Sequence, residues 1–177
     1  MAPIEQWSNR PDLPTVRIDR TLCFEHPALI RAYAYWKARR GHRTMPTRAD
    51  IDPVEMREFL PHVGLVDVLK PADAPVDYRI RLAGSHVESV FNGITGRLLS
   101  QFLEPAIEER WRYAFDLMIA EAAPLRFTAR ISYERKTWLI SETLLAPLSD
   151  SGQGIGMLFG GFAAWSSGER PTSGNLP

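Results

Sequence analysis

Histidine brings either metal ligation or proton transfer near neutral pH, and this chain has four, at positions 26, 42, 62 and 86. A helical metal site needs two of them a single turn apart, as in H-E-x-x-H. No two stand that close, so a metal site is not expected. Acid–base chemistry of the isomerase or dehydratase kind needs a buried carboxylate beside a Tyr or His, so that its raised pKa can do work. Asp67 and Glu142 are the carboxylates in strand-like segments, with Tyr78 and His86 as partners to be brought within reach. Each carboxylate can equally pair with a neighbouring arginine. Nucleophilic and metallo-hydrolase chemistry have no support, since no Ser-His-Asp order, G-x-S-x-G elbow or H-E-x-x-H string occurs.

Two further sets of residues have both a chemical and a structural reading. The glycines at 152, 154, 156, 160 and 161 lack the following Lys and Ser or Thr of a phosphate loop and stand in a strand pattern, so they mark a turn, a bulge or close packing. Arg79, Arg81, Arg97, Arg126 and Arg130 can gather into an anion site or line a solvated strand face, and their regular alternation with apolar residues favours the second. Cys23 is the one cysteine and belongs to no C-x-x-C pair, so it forms no internal disulfide and is expected as a small buried residue.

Composition limits the elements that position these groups. The 177 residues suit one domain with a real core, 45% of them hydrophobic, including five Trp, eight Phe and five Tyr. Lys plus Arg and Asp plus Glu number 21 each. No net field therefore draws the molecule to nucleic acid or to an anionic membrane, and neither is expected as a partner. The N-terminus has no basic stretch followed by an apolar one, and no run approaches the length of a membrane span, so a cytoplasmic location is expected.

Residues 1–24, with Pro3, Pro11 and Pro14 and no sustained period, predict an irregular arm. Pro27 opens a helix to about residue 40: Leu29, Ala32, Tyr33 and Trp36 recur at helical spacing, and Arg39-Arg40-Gly41 ends it. Asp52-Pro53-Val54-Glu55 predicts a second, short helix with a capping box, ended by Pro61. Strands are expected near 62–69 and 77–83, the latter alternating Tyr78, Ile80 and Leu82 with Arg79 and Arg81. A short helix holding Val87, Val90 and Phe91 follows Gly84-Ser85. The longest helix runs from Pro105 to about 121, with Ile107, Trp111, Ala114, Phe115 and Met118 on one side and Glu108, Glu109 and Arg112 on the other. Three strands near 125–133, 137–147 and 154–165 are antiparallel, because their connections are too short for a crossover. The strand at 137–147 is apolar on both faces, with Trp138, Ile140 and Leu144 on one and Leu139 and Leu145 on the other, so something must cover the second face. Residues 167–177 are Ser, Gly and Pro rich and read as a disordered tail.

This order of elements resembles the PAS fold. The wording of Tyr35-Trp36, Gly41, Met45-Pro46-Thr47-Arg48-Ala49-Asp50-Ile51-Asp52-Pro53, Leu60-Pro61-His62, Tyr78-Arg79-Ile80-Arg81-Leu82-Ala83-Gly84 and Thr95-Gly96-Arg97 is similar to a family of short PAS-domain proteins common in alphaproteobacteria, over roughly residues 26–165. The resemblance implies an α+β fold: a five-stranded antiparallel sheet with helices across one face, a core at 61–166 and an extra N-terminal helical extension at 25–60. It implies a non-catalytic sensor or signalling adaptor, while the cofactor is left unknown. Some PAS domains resemble haem sensors with a helical His ligand, but His86 reads more simply as a turn or helix-start residue, and haem is not expected. A flavin bound through a cysteinyl adduct is not expected either, because the helical region holds no cysteine.

In such a fold Phe91, Trp111, Phe115, Phe127, Trp138 and Phe159 converge where helices meet the sheet, either as plain core or as the wall of an apolar pocket. Tyr78, Ser141 or Thr143 would then be the polar groups that orient a small apolar or amphipathic ligand. Leu29, Tyr33 and Trp36 form an aromatic stripe that either anchors a homodimer or signalling partner or is buried within its own chain. The leading reading is a binding module whose pocket or surface alters its association with a partner. The alternative is a small cone-shaped α+β enzyme using a buried carboxylate, and the two differ in whether the pocket is dry and aromatic or holds Glu142 beside Tyr78 or His86.

Overall fold

The computed structural model describes residues 3–130, 139–149 and 154–166. Among them are seven strands and three α-helices: β1 (Ile4–Trp7), β2 (Val16–Asp19), α1 (Pro27–Arg40), β3 (Val63–Leu69), β4 (Asp77–Ala83), α2 (Ser85–Phe91), α3 (Pro105–Glu121), β5 (Leu125–Arg130), β6 (Leu139–Leu148) and β7 (Met157–Ser166). The strands form one antiparallel sheet in the order β1-β2-β5-β6-β7-β3-β4. Two strands more than the five expected come from the segment read as an irregular arm. Each has only four residues, too few to show a period, and β2 exists because it pairs with β5. Trp7 of β1 stacks flat on Tyr113 of α3 at 4.1 Å, which fastens this added edge to the helical layer.

The sheet has helices on both faces, not one. On β6 the odd residues turn to one side and the even residues to the other, so that Leu145 joins the cluster containing Phe115, Met118 and Phe91, and Leu144 joins the cluster containing Ala32 and Trp36. Strand β6 is thus apolar on both faces. Helices α2 and α3 cover the first face, and α1 covers the second.

Local signals explain the helices. Helix α1 begins with Pro27 at its first turn; His26 caps it by accepting from the Ala28 N–H, and Lys37, Arg39 and Arg40 fill its last turn. Helix α2 ends on Asn92 in the left-handed conformation, and α3 ends the same way on Ala122. The short helix expected after Asp52 does not form. Residues 53–59 are a chain of turns, with only Leu60–His62 as one 3-10 turn. Asp52 does accept from the Val54 N–H, but Glu55 turns outward to pair with Arg39 instead of closing a capping box. Strands β5 to β7 begin or end within a few residues of the expected bounds. Strand β7 starts at Met157, three residues later than expected, while residues 131–133 and 137–138 of the expected strands and the tail at 167–177 lie outside the described residues.

Candidate ligand cavity

Between the sheet and the α2/α3 layer lie two adjoining cavities of about 70 and 90 Å³. The first is walled by α2 (Val87, Phe91), α3 (Trp111, Phe115), the loop between them (Leu99, Leu103) and the sheet (Ile80, Leu145, Phe162). The second is walled by Val16, Ile107, Arg110, Phe127, Arg130 and Ser141. Phe91, Trp111, Thr143 and Phe162 border both, so the two cavities adjoin along these four side chains. Phe91 meets Phe162 edge-on at 5.1 Å and Trp111 at 6.0 Å, within the favoured range for edge-to-face aromatic pairs.

Of the residues expected at a pocket, Phe91, Trp111, Phe115, Phe127 and Ser141 line these cavities. Trp138 lies outside the described residues. Two others do not line them. Tyr78 is buried behind Phe115, edge-on at 4.9 Å, and its hydroxyl donates to the Asp116 carboxylate. Burial, reinforced by that carboxylate, raises its phenol pKa well above the ordinary range. Phe159 faces the other way, into the α1 cluster beside Tyr35. The ring at the cavity is Phe162, and three positions along a strand invert the face. Thr143 is on the wall, and the Ser141 hydroxyl donates to the Ala129 carbonyl at 3.1 Å.

Sequence reasoning passed over Arg110. It is 8% exposed and lines the second cavity. Its Nε donates to Asn9 Oδ1 at 3.0 Å and one Nη donates to the Pro14 carbonyl, but no carboxylate pairs with it among the described residues. Burial lowers its pKa. A signal was present: Arg110 stands between Ile107 and Ala114 at helical spacing, on the stripe that turns inward.

The five arginines weighed as an anion site do not gather. Arg79 and Arg81 both grip Asp67, at 2.9 and 3.0 Å. Arg97 donates to the carbonyls of Gly93 and Gln101, and Arg130 stands at the second cavity. Arg126 is buried on the α1 face, pairing with Glu142 at 2.6 Å, Asp19 at 3.0 Å and Glu25 at 3.2 Å. Glu142, fully buried, also accepts from the backbone N–H groups of Glu25 and His26, just ahead of α1. Both candidate catalytic carboxylates are therefore held in ion pairs, and Glu142 lies across the sheet from the cavities.

Three of the four histidines converge although they are far apart in the chain. His26, His62 and His86 stand in a column of mutually tilted rings with centroid separations of 4.8 and 4.3 Å, and His62 Nδ1 lies 3.0 Å from the Phe162 carbonyl oxygen. His86 is not on the cavity wall, and its Nε2 is buried without a partner. Among the described residues no group of three His, Cys, Asp or Glu is placed to hold a metal ion. Leu29 and Trp36 are fully buried in their own chain, with Trp36 Nε1 donating to the Pro147 carbonyl at 2.9 Å, and Tyr33 is half-buried. The first two cannot anchor a partner while α1 is seated. Cys23, expected to be buried, is exposed, because its loop runs over the surface before α1.

A family model described as a PAS domain matches residues 24–162, a span that includes α1 and every described residue from there to β7 at Phe162. No curated protein and no solved structure matches the chain. Among the described residues no helix is long and apolar enough to cross a membrane.

Proposed function

We propose that this chain, which belongs to the PAS domain family, is a non-catalytic sensory module that binds a small molecule in the paired cavities and passes the signal on through protein–protein contact. The observation that carries this reading is the largely apolar, aromatic lining of the space between sheet and helices, with Phe91, Trp111 and Phe162 at its centre. The alternative enzyme needs Glu142 beside Tyr78 or His86, and in this fold Glu142 is tied to Arg126 on the opposite face.

A route for the signal is supported by strand β7. Gly160, Gly161 and Phe162 wall the first cavity, while a Cβ added at Gly161 would lie 2.7 Å from Leu29 Cδ2 of α1. Cavity and α1 therefore share one strand without a side chain between them. A ligand that shifts β7 by a fraction of an ångström reaches the seat of α1 directly, because packed layers transmit displacement instead of absorbing it. Homodimerisation or docking to a signalling protein on the α1 side is the output of this reading.

Native mass spectrometry of the freshly purified chain tests it. The expected spectrum shows a small-molecule adduct on a fraction of the protein, lost when Val87→Phe fills the first cavity. Spectra at the bare protein mass, in wild type and variant alike, after expression in several hosts would count against the ligand.

A further inference from the structure

Among the described residues two arginines are buried to more than nine-tenths, and the fold treats them differently. Arg126 is met by three carboxylates. Arg110 is met by none among the described residues, although it lines an otherwise mostly apolar cavity. Its Nε and one Nη are used by Asn9 and the Pro14 carbonyl, which fix the plane of the group and leave the other Nη uncommitted. Asn9 links Arg110 to an exposed acid, Glu109, to which its Nδ2 donates at 2.9 Å. Arg130, on the same wall, also has no ion pair among the described residues, and the hydroxyl of Thr143, which borders both cavities, has no hydrogen-bond partner among them.

A buried cation without a counter-charge is costly, and proteins tolerate it where something else supplies the charge. We infer that the second cavity receives the anionic end of a small amphipathic ligand, a carboxylate on a single ring or short chain, with Arg110 as its anchor and the first cavity holding the apolar body. The inference rests on the cavity reading above and names its ligand class. Size sets the class further: the adjoining cavities, of about 70 and 90 Å³, only together reach the volume of about 150 Å³ that holds one benzene ring. Among the buried groups the donors available are the remaining Nη of Arg110 and the Thr143 hydroxyl, since Arg130 on the same wall is exposed, and these suit one carboxylate, whereas a dianionic phosphate would outnumber them.

Isothermal titration calorimetry of the full chain at pH 7 tests this with phenylacetate against phenylacetamide and hexanoate against hexanamide. Each acid is expected to bind at least about tenfold more tightly than its amide, the scale of one charge-assisted hydrogen bond. Arg110→Met should abolish that preference while the amides still bind. Because Arg110 also ties down Asn9, the variant Asn9→Ala releases the same tie without removing the charge and should keep the preference. Equal binding of acid and amide by the wild type would overturn the anion anchor and leave the apolar cavity standing. Acid binding that survives in Arg110→Met would place the anion elsewhere and overturn it too. If neither acid nor amide binds at low-millimolar concentration, the cavity reading falls and this inference with it.

Discussion

Arg126 Nε and Glu142 Oε1 meet at 2.6 Å in the interior, with the Glu142 side chain fully buried and that of Arg126 6% exposed. The pair joins β5 to β6, and through the Glu25 and His26 amides it also fixes the approach to α1. Removing one member leaves the others as uncompensated buried charges. Arg126→Met is expected to cost about 3–5 kcal/mol, read as a shift of the urea midpoint at pH 7. A loss below about 1 kcal/mol, the scale of an exposed ion pair, would show that the network is solvated.

The histidine column predicts how stability responds to acid. Burial, and then the charge of the neighbouring imidazoles, lowers His26 and His86 from the ordinary 6.5 to about 4; burial also lowers His62, against the opposing effect of the Phe162 carbonyl. A depressed histidine pKa means that the unfolded chain takes up protons first. Stability should therefore be at its plateau above about pH 6.5 and fall as the pH drops towards 4. His86→Phe keeps a ring against His62 and should make that slope shallower. An identical slope in wild type and variant, from denaturation midpoints at pH 7, 6, 5 and 4, would contradict the assignment.

Gly84 has no room for a side chain. A Cβ there would stand 2.1 Å from the Leu60 carbonyl oxygen and 2.4 Å from that of Pro61, both backbone atoms that cannot turn away. Gly84→Ala should cost about 3 kcal/mol or more, the upper range of overpacking. Gly161→Ala meets the end of a leucine side chain instead. About 1–2 kcal/mol is expected there, together with altered amide shifts along α1 in an NMR spectrum. Equal costs for the two substitutions would refute the distinction between backbone and side-chain obstruction.

Trp36 offers a test of where the α1 stripe is used. As an interface anchor, Trp36→Glu would separate subunits and leave each folded. Buried as it is, with its indole N–H on the Pro147 carbonyl, the same substitution should lose cooperative unfolding at 25 °C. Trp36→Phe keeps much of the packing and should cost about 1–3 kcal/mol for the orphaned carbonyl. Circular dichroism melts of both variants, with sedimentation alongside, separate the two outcomes.

Helices α1 and α3 were legible in the sequence because Pro27, Gly41, Pro105 and Pro124 bracket apolar stripes of helical period. The central strands were legible from alternation. The first two strands were not, since Ile4–Trp7 and Val16–Asp19 are too short to display a period and are specified by their neighbours across the sheet. The aromatic wall was legible as a composition but not as a face. Gly160-Gly161 interrupts the alternation of β7, so Phe159 and Phe162 look equivalent in one dimension and lie on opposite sides in three. The histidine column depends on contacts between segments remote in sequence, for which no local pattern exists. Arg110 differed again: a charged residue on the inward stripe of α3 was visible, and its meaning appears only when its lack of a carboxylate is set beside Arg126.

The account depends most on the cavities being a binding site and not slack in the core. Methyl-resolved NMR of the protein titrated with benzene, a neutral probe of about the size that the two adjoining cavities hold together, tests that directly. Shifts are predicted to be largest at Val87, Leu99, Leu103 and Leu145, which line the first cavity, smaller at Leu29 where α1 meets Gly161, and absent at Leu148 elsewhere on the α1 face. Unmoved methyl signals at Val87, Leu99, Leu103 and Leu145, or shifts confined to the α1 face, would contradict it.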